Sequence, residues 1–218
     1  MEGLNERSCW LARITNASQL ANLATPRAAL LSPVAASDRI PREILLLFAH
    51  GYYDALEQSD GNAVPFADDC LRRENGMQTA GPRAAEVGRG PGGPGAARAG
   101  GAGGGLPGAT GPAQMCGPQL TSRVMSYIDS LDLRRVWIAD PENGLVFGLS
   151  MFRHAMTNKT YPVLNPDGTR REQTMNFDPF DLAAAHIIKV QGNKIHDIEA
   201  MGFMLPLYSK NGWSEFLR

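Results

Sequence analysis

The stretch from Phe180 to Phe203 constrains the fold more than any other part of the chain. It reads Phe-Asp-Leu-Ala-Ala-Ala-His-Ile-Ile-Lys-Val, then Gln-Gly-Asn-Lys, then Ile-His-Asp-Ile-Glu-Ala-Met-Gly-Phe. Two apolar, β-branched runs flank a Gly-Asn pair, and both residues tolerate the positive φ angles of a tight turn, so the segment is expected to be a β-hairpin. A two-residue loop (Gly192-Asn193) and a four-residue loop (Gln191 to Lys194) give one register. Val190 then faces Ile195, and four pairs back His186 faces Glu199. Side chains alternate along a strand, so His186 shares a face with Ala184, Ile188 and Val190 while Lys189 points the other way. A histidine and a carboxylate are thus expected to meet on the apolar face. A three-residue loop would slip the register by one and separate them.

The rest of the sequence sets limits. A chain of 218 residues has room for one ordinary domain and additional segments. The formal net charge is -1 and no basic stripe with interleaved aromatics occurs, which excludes nucleic acid as the expected partner. No apolar run is long enough to span a bilayer. Cys9, Cys70 and Cys116 are far apart and odd in number, matching neither a secreted disulfide framework nor a Cys-x-x-Cys metal motif, so a reducing cytoplasm is the expected location. Residues 29–36 hold a short apolar run, but Pro33 interrupts it and no basic segment precedes it, unlike a signal peptide.

Residues 1–38 lack clean periodicity and are expected to be a loosely ordered extension to a single domain over 39–218. Ile44, Leu47, Phe48, Gly51, Ala55 and Leu56 recur at helical spacing after Pro41, and Asp60-Gly61-Asn62 supplies the stop. Residues 65–69 are expected to form a short helix leading into a strand over 71–75. From 80 to 113 the sequence is almost wholly Gly, Ala, Pro and Arg, which cannot bury enough surface to offset its ordering entropy, so a flexible insertion is expected. Leu120, Val124, Tyr127, Ile128 and Leu131 predict a helix over 120–131. Strands over 134–139 and 145–153 flank the turn Asp140-Pro141-Glu142-Asn143-Gly144. Residues 157–176, with Asn-Pro-Asp-Gly inside them, predict a long polar turn. Early helices and late antiparallel strands predict an α+β fold, a curved antiparallel sheet wrapped against helices.

Phe66-Ala67-Asp68-Asp69, the Arg-Glu-Asn-Gly at 73–76, and the hairpin with Ala-His-Ile-Ile-Lys-Val and Ile-Glu-Ala-Met-Gly-Phe together resemble the nuclear transport factor 2-like superfamily. That group includes the SnoaL-like polyketide cyclases and the ketosteroid isomerases, and the branch resembled includes cofactor-free lyases of lignin-derived diarylpropanes. The resemblance implies a cone-shaped half-barrel with helices packed over an internal pocket. It places a general-base carboxylate five residues beyond the second Asp of Ala-Asp-Asp, at Glu74, and an oxyanion-stabilising tyrosine eight residues before the Asp ending the first long helix, at Tyr52. The chain departs from the isomerases in having Glu rather than Asp as the base and His186 on the penultimate strand. With Glu199 orienting His186, the expected catalytic set is Glu74, His186, Glu199 and Tyr52, and Arg73, Asn75, Phe48, Ile188 and Met201 are expected to contact substrate. The wheel turns Tyr52 inward more than Tyr53. His196 is expected to face solvent beside Lys189.

These residues predict a cofactor-independent lyase or isomerase that moves protons on a small aromatic or polycyclic molecule. A non-catalytic binding or assembly module and an epoxide hydrolase are the alternatives. No metal-ligand cluster or phosphate-binding loop is present in the sequence, and the family's habit of self-association implies a homodimer or homotrimer.

Overall fold

A computed structural model describes residues 17–82 and 114–210. Eight strands and four α-helices occur among them, in the order α1 (Ala17–Ala24), α2 (Ala28–Leu31), α3 (Arg42–Gln58), β1 (Phe66–Glu74), β2 (Met77–Ala80), α4 (Cys116–Thr121), β3 (Ser130–Asp140), β4 (Leu145–His154), β5 (Thr160–Leu164), β6 (Arg170–Thr174), β7 (Phe180–Gln191) and β8 (Lys194–Pro206). Six strands form one curved, open sheet in the order β2-β1-β8-β7-β4-β3. The α+β class is as expected, with one change: β1 runs parallel to β8, so the sheet is not wholly antiparallel. Register shifts in the β1–β2, β1–β8, β3–β4 and β7–β8 ladders bend the strands. Helix α3 packs on the concave side, against β3, β4 and β7.

Pro41 precedes α3, and Ser59 ends it in the left-handed region with φ 53°. The helix buries Leu45, Phe48, Ala49, Tyr52, Tyr53, Ala55 and Leu56, whereas Ile44 and Leu47 are exposed. Of the expected stripe Phe48, Ala55 and Leu56 are buried but Ile44 and Leu47 are not, so the inward face is rotated toward Leu45, Ala49 and both tyrosines.

Three local expectations are corrected. Residues 66–69 are strand, because the terminal strand supplies partners: Phe66 pairs with Ile195, whose N–H donates to the Pro65 carbonyl at 2.9 Å. The helix expected over 120–131 is instead α4 followed by turns, since Arg123 takes φ 68° and β3 starts at Ser130. Leu120, Val124, Tyr127, Ile128 and Leu131 are all buried, so their spacing marked burial rather than helix. The polar stretch at 157–176 is a hairpin of β5 and β6 turning at Asn165-Pro166-Asp167-Gly168, with Gly168 at φ 82°.

The N-terminal segment is tied down rather than loose over the described part. Leu30 and Val34 are buried, the Val34 N–H donates to the Glu142 carbonyl at 2.8 Å, and Arg27 binds strand β8. Most of the insertion expected at 80–113 lies outside the described residues. Its flanks are joined: Cys70 and Cys116 form a disulfide with Cα atoms 5.8 Å apart, although 46 positions separate them. Separation along the chain had hidden proximity in space, and two of the three cysteines behind the expectation of a reducing compartment are paired, while Cys9 lies outside the described residues. Among the described residues no helix is long and apolar enough to cross a membrane.

Candidate functional site

Ladder partners share a face of a sheet, so Glu74, Ala200, His186 and Gly148 form a row across β1, β8, β7 and β4 on the concave side. Helix α3 lays Tyr52 and Tyr53 over this row. Between helix and sheet lies a cavity of about 80 Å³. Leu56, Met125, Ile128, Phe152, Phe180 and Leu182 give it apolar walls, and Tyr52, Glu74, Asn75, Tyr127, His154 and His186 bring polar groups to it.

Glu74 is held by Arg72, two residues earlier on the same face of β1. Arg72 is 1% exposed, and its Nε lies 3.1 Å from Glu74 Oε1. The guanidinium also donates to Thr79 Oγ1 at 3.1 Å and to Gln119 Oε1 at 2.6 Å, and reaches the Tyr52 hydroxyl. Gln119 is locked in turn by its Nε2 donating to the Thr79 carbonyl at 2.6 Å. Gln119 stands on α4, which the Cys70–Cys116 disulfide fastens to β1. Burial pulls the guanidinium pKa down, but Glu74 and Tyr52 outweigh it and hold it above its ordinary value. A buried arginine is tolerable only with such partners.

His186 is buried, with Nδ1 3.1 Å from the Tyr53 hydroxyl. Gly148 makes this approach possible, since a Cβ there would stand 2.5 Å from that hydroxyl oxygen. The rings of Tyr52 and Tyr53 meet the imidazole edge-on, with centroids 5.6 and 5.3 Å away. Burial, then the charge on Arg72, lowers the His186 pKa to about 3. Burial raises that of Tyr52 to about 12 and pushes Tyr53 and Tyr127 up as well. Near neutral pH the imidazole is uncharged and the phenols keep their protons.

The expected His186–Glu199 pair does not form. The two-residue turn and the Val190–Ile195 pair are as read from the sequence, but the register shifts between Lys189 and Val190. His196 is the extra residue, and its Nδ1 lies 2.8 Å from Asp69 Oδ1. Beyond the bulge His186 faces Ala200 and Glu199 faces Ile187, on the outer side of the sheet. There Glu199 accepts from Arg27 Nε at 2.9 Å, and Arg27 also binds Asp197 and the Ile198 carbonyl. Tyr53 takes the place expected of Glu199 beside the imidazole.

The other expected contacts divide. Asn75 lines the cavity at φ 48°, its side chain exchanging two hydrogen bonds with the Gly202 backbone at 3.0 and 3.2 Å. Tyr52 lines it too. Phe48 and Ile188 are buried in the core and do not reach the cavity wall. Arg73 pairs with Glu199 in the ladder and so lies on the outer face, as does Met201, which is 56% exposed.

A family model matches residues 38–202. The chain belongs to the DUF8021 family, described as a domain of unknown function. No curated protein matches the sequence significantly. Among solved structures, this DUF8021 chain is similar to a candidate polyketide cyclase from Silicibacter sp., at TM-score 0.41 and 11% identity over 72% of this chain and 88% of that one. It is also similar to a phenazine biosynthesis-related protein from Pseudomonas aeruginosa, at TM-score 0.37 and 9% identity over 78% and 93%. An NTF-2 like protein of unknown function from Burkholderia xenovorans gives TM-score 0.35 and 9% identity over 81% and 95%. Likenesses this distant say nothing about the chemistry of the DUF8021 chain.

Sequence reading missed Arg72, Tyr53, His154 and Gln119. Arg72 had a signal: Cys70, Arg72 and Glu74 alternate on one face once β1 begins at Phe66. Gln119 had none, because only the disulfide and the fold bring α4 to β1.

Proposed function

We propose that this chain is a cofactor-independent lyase or isomerase of small, neutral aromatic carbonyl or hydroxyl compounds, with Glu74 as the general base. The observation that carries this reading is Glu74 on the cavity wall, with Arg72 holding one carboxylate oxygen beside two buried phenols and an uncharged imidazole. For an isomerase Glu74 takes a proton from the carbon next to the aromatic carbonyl. For a lyase it takes the proton of a hydroxyl on the β-carbon while the bond between the α- and β-carbons breaks. In both, negative charge develops on the carbonyl oxygen. Tyr52 stabilises this oxyanion, because Arg72 donates to its oxygen and leaves the phenolic proton for the ligand. One such hydrogen bond contributes about 3 kcal/mol to the transition state.

His186 has a different part from the proton carrier expected of it. With a pKa near 3 it is a poor base, and with Tyr53 donating to Nδ1 its Nε2–H is a neutral donor to the same oxyanion. An isomerase then returns the proton from Glu74 to another carbon. A lyase releases the β-carbon fragment as an aldehyde or ketone and returns the proton from Glu74 to the α-carbon of the enolate.

The test is α-proton exchange of 4-hydroxyacetophenone in heavy water, followed by NMR, with the purified full chain after chelation and dialysis. Exchange above the buffer rate that falls about a hundredfold or more in Glu74→Gln supports the reading. A wild-type rate equal to buffer, with the ketone still bound, makes the protein a binding module instead.

A further inference from the structure

His154 is a polar group on the cavity wall that this chemistry leaves unused. It ends β4 and is buried. Its ring lies nearly parallel to Phe180, with centroids 4.1 Å apart, and stacks on Tyr127 at 5.5 Å. Phe152, two residues earlier on the same face, comes between the histidines along the strand: its ring centroid is 6.4 Å from His154 and 5.8 Å from His186. The wall thus runs imidazole, phenyl, imidazole. His154 Nδ1 is sealed within the protein without a partner among the described residues, while the ring's other polar contacts are with the Phe152 and Phe180 backbones. A buried ring nitrogen with no hydrogen bond is rare in a folded protein and asks for a partner from outside it.

We propose that His154 determines specificity in this cavity by hydrogen-bonding a neutral hydroxyl or carbonyl on a one-ring aromatic ligand, at the end of that ring away from His186. The proposal rests on the cavity being the reaction site. Its volume, about 80 Å³, is well below the roughly 300–1,000 Å³ that encloses drug-sized ligands, so a single ring fits better than the two of a diarylpropane. Phe152 offers that ring an apolar wall with one imidazole toward each end. Charge selects further. Arg72 is already matched by Glu74, no Lys or Arg is among the described residues lining the cavity, and burial lowers His154 to about 4, so it is uncharged. A ligand carboxylate would be a buried charge without a counter-ion.

Calorimetry on the full chain with 4-hydroxyacetophenone, acetophenone and 4-acetylbenzoate tests this. Wild type should bind the hydroxylated ketone about tenfold more tightly than acetophenone, and the anion at least tenfold more weakly than either. His154→Phe, which keeps the ring stack, should reduce the hydroxyl preference to within about twofold, while His154→Gln should keep part of it. Equal affinity for the two neutral ketones in wild type, an unchanged preference in folded His154→Phe, or tightest binding of the anion would overturn the assignment. Failure to bind any of the three overturns it too. A hydroxyl preference without α-proton exchange leaves His154 standing and removes the base chemistry; exchange without the preference does the reverse.

Discussion

The two faces of the β7–β8 hairpin hold charge in opposite ways. On the outer face the groups close upon one another. Arg27 binds Asp197, Glu199 and the Ile198 carbonyl, and Lys189 Nζ donates to the Ser32 and Asn143 carbonyls at 2.5 and 2.6 Å. These bonds fasten the N-terminal segment across the sheet. On the concave face Arg72 pairs with Glu74, Tyr53 with His186 and Asn75 with the Gly202 backbone, while His154 Nδ1 has no partner among the described residues. The outer face uses its charges to fasten a segment of the chain, although Arg73 Nε and Glu199 Oε1 have no partner among the described residues, and the concave face turns its polar groups toward a cavity.

Acid should break the concave side first. His154 and His186 have folded pKa values near 4 and 3, below the unfolded value of about 6.5, so the unfolded chain binds more protons between these limits. Their contribution is whole above pH 6.5 and is lost as pH falls toward 3, with a slope of up to about 1.4 kcal/mol per pH unit for each. Urea unfolding at a series of pH values should show this slope, and His186→Phe should flatten it. An unchanged slope would mean that the imidazole is already charged in the fold.

Glu74→Gln and Glu199→Gln compare the faces directly. The first should slow α-proton exchange about a hundredfold or more, and the second should leave it within about twofold. Equal losses would dissolve the division between the faces. Arg27→Ala strips both outer carboxylates of their partner and should cost roughly 1–3 kcal/mol in urea unfolding, without changing exchange. A neutral result would show that the clamp is merely a surface pair. The smallest effect belongs to the insertion: replacing 82–111 by a short Gly-Ser linker should leave the melting temperature nearly unchanged, because loop closure varies slowly with length and Cys70–Cys116 already ties the flanks. A large drop in differential scanning calorimetry would mean that the insertion packs on the core.

Local chemistry was enough to read much of this from the sequence. The Gly192-Asn193 turn, the Asp140–Gly144 turn, the strands at β4 and β7 and the inward side of His186 follow from turn residues and alternation, which act over a few positions. Helix α3 was legible as a helix, but not its orientation, since the stripe at Ile44 and Leu47 differs little in hydropathy from the one that is buried. Glu74 and Tyr52 were found through the family resemblance, and both line the cavity.

Only the tertiary structure decided the rest. The bulge at His196 arises where β8 pairs with β7 on one side and with β1 on the other, and nothing in the hairpin itself specifies it. That single extra residue moves Glu199 to the outer face and leaves His186 to Tyr53, whose approach depends on Gly148 from a third strand. Arg72 looks like a surface arginine until α4, brought across by a disulfide, lays Gln119 against it. Spacing along a strand fixes which way a side chain points, but its partner is set by elements that meet only when the sheet curves around α3.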